Sequence, residues 1–293
     1  MDTIIKPLIT PAELDAKIKQ NEDLVVIDTR TPEEYAAGHL PGAVNLREIF
    51  SFLATSTPDG IQHLQKTFTD LFGSVGVSGD ETVVIYEDAM NTGYGQSCRG
   101  WFLLRYLGHE RVQILHGGLQ AWKAAGLEIS DAPVTPVAKP FAPEVNSSLM
   151  LTWQDMLGAL EHDEIVKLDV RDADEWTGES SSPYGKDFAP RKGRIPGAVW
   201  IEWYKLMRAD SEIPMFLEPE QIKQVCAEAG ITADSEIYLY CFKGARASNT
   251  MVALHEAGIN NVRLYFGSWN EWSRDPSLPI DEGLIDALVG ASS

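Results

Sequence analysis

Tyr238-Leu239-Tyr240-Cys241-Phe242-Lys243-Gly244-Ala245-Arg246-Ala247-Ser248 runs from an apolar, aromatic segment through a thiol into a turn that carries a glycine and two cations. A strand that feeds through a turn into a helix is a building unit of α/β folds. Residues 247–257 read as that helix, closed by Gly258. The loop therefore lies over a helix N-terminus, where unpaired N–H groups converge and negative charge is stabilised. Such a setting suits a reactive cysteine, because a free thiol with a pKa of about 8.5 is mostly protonated at neutral pH and only the thiolate attacks. Lys243 and Arg246 add positive charge, and the planar Arg246 fork matches two oxygens of one oxyanion. The competing reading is a strand-end cysteine packed as a small hydrophobe. Gly244 and the two cations, placed ahead of a helix start, count against it.

Outward from this stretch, the two halves of the chain share punctuation in the same order, as a tandem duplication does. Thr10-Pro11-Ala12-Glu13 and Thr152-Trp153-Gln154-Asp155 both read as helix starts with a hydroxyl cap and an acid three positions on. Val25 to Arg30 and Ile165 to Arg171 are short strands ending in Asp-x-Arg. Gly38-His39-Leu40-Pro41-Gly42-Ala43-Val44 matches Gly193-Arg194-Ile195-Pro196-Gly197-Ala198-Val199, Val83 to Tyr86 matches Ile237 to Tyr240, and Gly117 to Trp122 matches Gly267 to Trp272. Short apolar strands alternate with helical stretches such as 101–107 and 218–229. This pattern predicts an α/β fold in each half, with a mainly parallel sheet flanked by helices.

The expected organisation is an N-terminal domain over 1–130, a Pro-rich linker over 131–148 and a C-terminal domain over 149–293. Tyr86 pairs with Tyr240, so Glu87 stands where the second half has Cys241. A carboxylate is a far weaker nucleophile than a thiolate, and Asp88 to Ser97 carry no cation. The first half is therefore read as non-catalytic and the second as catalytic.

The 293 residues carry a net charge of −19, which disfavours nucleic acid and anionic membrane as partners. An acidic protein that handles an anion must gather its cations locally, as this loop does. The N-terminus, Met1 to Pro7, shows no basic region leading into an apolar stretch of signal length, and no run approaches a membrane span. Three cysteines, odd in number and far apart, argue against a disulfide framework, so a cytoplasmic location is expected. Cys98 and Cys226 fall in helical stretches and read as buried structural residues. The six histidines do not cluster as ligands would, and neither a metal site nor a cofactor is predicted.

With the Asp-x-Arg strand ends, the two Pro-Gly-Ala segments, the Cys241 loop and Gly267-Ser268-Trp269-Asn270-Glu271-Trp272 in view, the sequence resembles a two-domain, rhodanese-type sulfurtransferase from about residue 8 to residue 280. The resemblance implies two tandem rhodanese-like domains and a persulfide on Cys241. Among such enzymes the chain looks closest to thiosulfate sulfurtransferases with a Cys-x-x-Gly-x-Arg loop. The expected reaction moves a sulfane sulfur from thiosulfate to a thiophilic acceptor, cyanide or a thiol, by covalent ping-pong catalysis. Cys241 is the expected nucleophile; Phe242, Lys243, Gly244, Ala245 and Arg246 are the expected substrate-binding residues, their N–H groups facing the sulfur and the two cations facing the donor's oxyanion. A thioredoxin-like or sulfur-carrier protein is an expected acceptor class.

Mercaptopyruvate stays open as the alternative donor. The loops of mercaptopyruvate enzymes are small and uncharged, of the Cys-Gly-Ser-Gly-Val-Thr type, and their substrate-contacting Arg before an aromatic residue falls here on Glu175 before Trp176. Animal thiosulfate enzymes also carry an Arg there. Cysteine phosphatases place five residues between cysteine and arginine, whereas four separate Cys241 from Arg246, and Ala247 holds the phosphatase position. A binding module without turnover is the remaining reading. The 178–192 insertion of the second half carries Lys186, Arg191 and Lys192 and reads as a solvated loop or as a cationic cleft mouth. Arg194, Trp269, Lys186 and Arg191 are the accessory candidates.

Overall fold

Each half of the chain forms one five-stranded sheet, and every pairing between named strands is parallel. The computed structural model of the protein describes residues 5–208 and 212–282. The outer ends of the expected domains, 1–4 and 283–293, lie outside the described residues, and with them the start of the N-terminal stretch read above. Strands β1 (Leu8–Ile9), β2 (Leu24–Asp28), β3 (Val44–Asn45), β4 (Thr82–Tyr86) and β5 (Val112–Leu115) lie in the order β1-β5-β4-β2-β3. Strands β6 (Met150–Leu151), β7 (Ile165–Asp169), β8 (Val199–Trp200), β9 (Glu236–Tyr240) and β10 (Val262–Tyr265) repeat that order as β6-β10-β9-β7-β8. The duplication read in the sequence is thus a duplication of topology, and the α/β fold with parallel sheets holds for both halves.

Central strands covered on both faces must be apolar along their whole length. All five residues of β4 are buried, as are the last four of β9. Lys167 interrupts β7 and is still 5 % exposed. Its Nζ donates to the carbonyls of Ala159 and His162 at 3.2 and 3.1 Å, so a helical end supplies the acceptors that a buried cation requires. Both expected helix starts are capping boxes, Thr10 with Glu13 ahead of Pro11–Lys19 and Thr152 with Asp155 ahead of Trp153–Gly158.

The Asp-x-Arg strand ends brace the sheets in the same way twice. Arg30 Nη2 donates to Asp28 at 2.6 Å and to the Gly38 carbonyl at 2.7 Å; Arg171 Nη2 donates to Asp169 at 2.6 Å and to the Gly193 carbonyl at 2.8 Å. Tyr86 and Tyr240 give their hydroxyls to Asp28 and Asp169 at 2.5 and 2.7 Å, and accept the N–H of Leu40 and of Ile195 at 3.2 Å. Burial, reinforced by the neighbouring carboxylate, pushes both phenols far up, so both remain donors.

The chain divides into two units. The first holds the described residues up to Phe52, Ile61–Ser147 and the described part of 207–218; the second holds Leu53–Gly60, Ser148–Leu206 and the described residues from Pro219 on. Within the first unit, His116 Nε2 accepts the Phe216 N–H at 3.0 Å. Within the second, Ser56 gives its N–H and hydroxyl to the Glu271 carboxylate at 2.6 and 2.7 Å. Residues 131–146 form no helix or strand, and main-chain bonds such as Lys139 N–H to the Gly73 carbonyl fasten them to the first unit.

Candidate active site

Cys241 follows the last residue of β9 and is 1 % exposed. The strand end is fixed by the turn after β10. The carbonyls of Cys241 and Phe242 accept the N–H groups of Trp269 and Asn270 at 3.0 and 2.9 Å, and Cys241 N–H donates to Ser268 Oγ at 3.2 Å. Ser268 reaches this position with φ at 54° and passes its hydroxyl hydrogen to the Tyr265 carbonyl at 2.8 Å. Gly244 then turns the chain in the left-handed region, φ 89°, and caps the helix Ala245–Glu256. A β-carbon there would lie 2.8 Å from Phe266 Cδ2, so glycine is required by conformation and by space together. In this turn the Gly244 N–H lies 3.1 Å from Cys241 Sγ. The helix begins two residues earlier than its sequence suggests, because Gly244 takes the cap and Ser248 Oγ closes back on the Gly244 carbonyl at 2.6 Å. Phe242 faces the core of the second unit and Ala245 is buried, so these two hold the loop through packing.

The two loop cations differ sharply in their surroundings. Lys243 Nζ lies 5.0 Å from the centre of the Tyr184 ring, a cation–π contact. Tyr184 in turn packs on Phe242 at 5.0 Å and on Phe188 at 5.9 Å, which brings the 178–192 insertion against the loop. Arg246 is gripped by Glu175, Nη1 to Oε2 at 2.5 Å and Nη2 to Oε1 at 3.1 Å, with Asp172 Oδ1 also 3.0 Å from Nη1. Burial opposes the guanidinium charge, yet Glu175 above all holds its pKa well above the usual arginine value, and the Cys241 sulfur acts in the same direction. Asp172, Asp174 and Glu175 gather carboxylate oxygens within 4.8 Å of one another, and the cation that Asp172 and Glu175 meet is Arg246.

The accessory candidates are spread over different tasks. Arg191 spends its guanidinium on the carbonyls of Ser273, Leu278, Trp272 and Asp275, which makes it a staple for the segment after the helix Ser268–Trp272. Arg194 stacks over Trp176 at 4.8 Å and donates to its carbonyl. Lys192 donates to the Glu179 carbonyl and Lys186 is exposed. Trp269 is fully buried and lies under Arg171 at 4.5 Å; its contribution to the Cys241 turn is its main-chain N–H. Tyr184 and Ser268 are site residues that sequence reasoning passed over, and it gave Glu175 no role of its own. Glu175 showed itself only as an acid in a place where related enzymes carry a base.

The corresponding turn of the first half has the same main-chain scaffold. Leu119 N–H and Gln120 N–H donate to the Glu87 and Asp88 carbonyls at 2.9 Å, which puts Glu87 in the place of Cys241. Ser97 donates its hydroxyl to Glu87 Oε1 at 2.6 Å, while Oε2 is buried without a hydrogen-bond partner. Burial raises the Glu87 carboxyl to about 8, with the Ser97 bond pulling the other way. Cys98 is buried in the helix Gln96–Tyr106, and burial pushes the Cys226 thiol up to about 11, which makes it a poor nucleophile at neutral pH. Among the described residues no helix is long and apolar enough to cross a membrane.

Comparison with known proteins agrees with this fold. A thiosulfate sulfurtransferase of Azotobacter vinelandii is 30% identical over 94% of this chain and 96% of its own length. The sulfur carrier protein TtuD of Thermus thermophilus is 31% identical over 91% of this chain and 90% of its own. Among solved structures, a variant of EanB in complex with ergothioneine superposes with a TM-score of 0.81 at 26% identity, covering 97% of this chain and 72% of that one. The rhodanese-like domain family matches residues 10–125 and again 152–275. Two copies of one sheet topology, one with a thiol and one with a carboxyl at the same strand end, make this chain a member of the rhodanese-like family with two domains in tandem, and its relatives make it a sulfurtransferase.

Proposed function

We propose that the protein is a thiosulfate sulfurtransferase that works through a persulfide on Cys241. The observation that carries this reading is the Gly244 N–H aimed at the Cys241 sulfur at the start of a twelve-residue helix. A main-chain donor and the helix N-terminus both stabilise negative charge where the sulfur is transferred. In the first step the Cys241 thiolate attacks the outer sulfur of thiosulfate. The sulfur–sulfur bond of the donor breaks, sulfite leaves with the bonding electron pair, and Cys241 keeps the transferred sulfur as an anionic persulfide. In the second step the acceptor attacks that terminal sulfur; cyanide becomes thiocyanate, and the electron pair returns to Cys241 as a thiolate. The Gly244 N–H serves both steps, because negative charge rests on sulfur before and after each transfer. Lys243 is assigned to the donor's oxygens.

The relatives support this donor by name, and the sulfur carrier protein among them supports a thiol or protein acceptor in place of cyanide. A thioredoxin-like or sulfur-carrier partner in a reducing cytoplasm fits three buried thiols. The first half, with Glu87 at the strand end, is assigned no turnover of its own. Initial rates with thiosulfate and with mercaptopyruvate, each with cyanide as acceptor, test the reading on the wild type and on Cys241→Ser. Turnover of thiosulfate that vanishes in the variant is the expected result. A preference for mercaptopyruvate would overturn the donor, and no turnover with either would overturn the catalytic reading.

A further inference from the structure

The second unit holds a cavity of about 420 Å³ that the sulfur chemistry does not use, and none of residues 241–246 lines it. Its volume falls within the range of about 300–1,000 Å³ typical of small-molecule sites. Trp153, Pro276 and Leu278 give it an apolar wall. Trp153 and Leu278 pack into the core of the second unit, so this wall is set before any ligand arrives. The segment 272–278 is fixed as well, because Arg191 gathers the carbonyls of Trp272, Ser273, Asp275 and Leu278.

Arg274 and Asp275 bring opposite charges to the same cavity. Arg274 Nη2 donates to the Asp187 carbonyl at 3.0 Å and reaches Asn270 Oδ1 at 3.5 Å, while its Nε and Nη1 have no hydrogen-bond partner among the described residues. Asp275 Oδ1 accepts the N–H and the hydroxyl of Ser277 at 2.9 and 2.6 Å, which leaves Oδ2 open. Those two bonds hold the Asp275 carboxyl below the usual aspartate range, so it is charged at neutral pH. Glu271 also lines the cavity, with both oxygens taken by Ser56. One positive and two negative groups disfavour a simple anion as the occupant.

We propose that this cavity binds a free α-amino acid with a large apolar side chain. Arg274 takes the carboxylate with its open N–H groups, Asp275 Oδ2 takes the ammonium, and Trp153, Pro276 and Leu278 cover the side chain. Each of these groups alone is ordinary on a protein surface. Their convergence on one preformed hollow points to a ligand with both charges and an apolar body.

The test titrates the intact protein into para-fluoro-L-phenylalanine and follows the fluorine NMR signal. Saturable binding in the millimolar range or tighter is expected. Acetylating the amine of the probe removes its positive charge, converting its acid to the amide removes the negative one, and each change should weaken binding at least about fivefold. Asp275→Asn should reproduce the loss seen with the acetylated probe, and Arg274→Gln the loss seen with the amide. Trp153→Leu should weaken all three probes, with circular dichroism to check that each variant is folded. No saturable signal, or equal binding of the three probes that no variant alters, would overturn the proposal. Sulfur transfer plays no part in the readout, so that failure would leave the persulfide reading of Cys241 untouched.

Discussion

The Gly244 N–H and the Cys241 sulfur face each other across 3.1 Å, and the backbone that permits this is a left-handed residue pressed against the Phe266 ring. A non-glycine residue at this φ costs about 1 kcal/mol or more before any clash is counted. Gly244→Ala should therefore shift the N–H off the sulfur and lower kcat at least about tenfold, with the fold intact. Mass spectrometry of the protein after thiosulfate, without acceptor, checks this by the amount and rate of persulfide formed. An unchanged rate would remove the main-chain donor from the mechanism.

Lys243 sits over the Tyr184 ring and is assigned to the donor's oxygens. Lys243→Ala should raise KM for thiosulfate by roughly five- to tenfold and lower kcat less, since a cation that binds the oxyanion acts mainly on the ground state. Tyr184→Ala should produce a smaller rise in the same direction. Steady-state kinetics over a salt series reads both, and the KM difference should shrink as salt is added.

The paired tyrosines allow stability to be separated from activity. Tyr86→Phe and Tyr240→Phe each remove a hydroxyl that donates to a buried aspartate and accepts a main-chain N–H. Each should cost about 1–3 kcal/mol in its own unit. Because Tyr240 immediately precedes Cys241, Tyr240→Phe should also reduce kcat, whereas Tyr86→Phe should leave it near the wild-type value. Urea unfolding followed by tryptophan fluorescence, together with rate assays, distinguishes them.

Buried groups in the first unit make its stability depend on pH with opposite signs. Folded Glu87 holds its proton up to about pH 8, whereas an unfolded glutamate loses it near pH ~4.3. Between those values the folded state binds the extra proton, so this contribution weakens as pH rises. His116 runs the other way, because burial, helped by Arg208, lowers it to about 4. The unfolded chain then binds the extra proton below pH ~6.5, and this contribution weakens as pH falls. His109, also lowered by burial, adds to the His116 slope, which opposes that of Glu87 in mildly acidic solution; from pH ~6.5 to pH ~8 Glu87 contributes a decline of up to about 1.4 kcal/mol per pH unit. Glu87→Gln mimics the protonated acid and should flatten that decline, with sulfur transfer unchanged. Unfolding midpoints measured across the window decide it.

Much of this was legible because it is written in local pattern. The strand-to-helix turn at Cys241, the capping hydroxyls at Thr10 and Thr152 and the twice-repeated Asp-x-Arg each declare themselves within a few residues. The partners of the cations did not, because they are not local. Arg246 meets Glu175 from 71 positions away, and Arg191 finds four carbonyls more than 80 positions downstream. Side-chain charge is visible in a sequence, whereas a main-chain carbonyl left unpaired at a helix end is not. For the same reason Arg191 read as a cation of a solvated loop or a cleft mouth, and Glu175 read as a departure with no role of its own.

Phe266 has a consequence for anyone who would remake this enzyme. Its ring lies just beyond β10, outside residues 241–246, yet it shapes the turn that they make. Exchanging those six residues for the loop of another enzyme would therefore move only half of the mould. A transplanted loop would be pressed against the same aromatic wall and would have to keep a glycine at its fourth place, or bring its own counterpart of Phe266 along. The turn after Cys241 is graftable as a pair of segments, not as one.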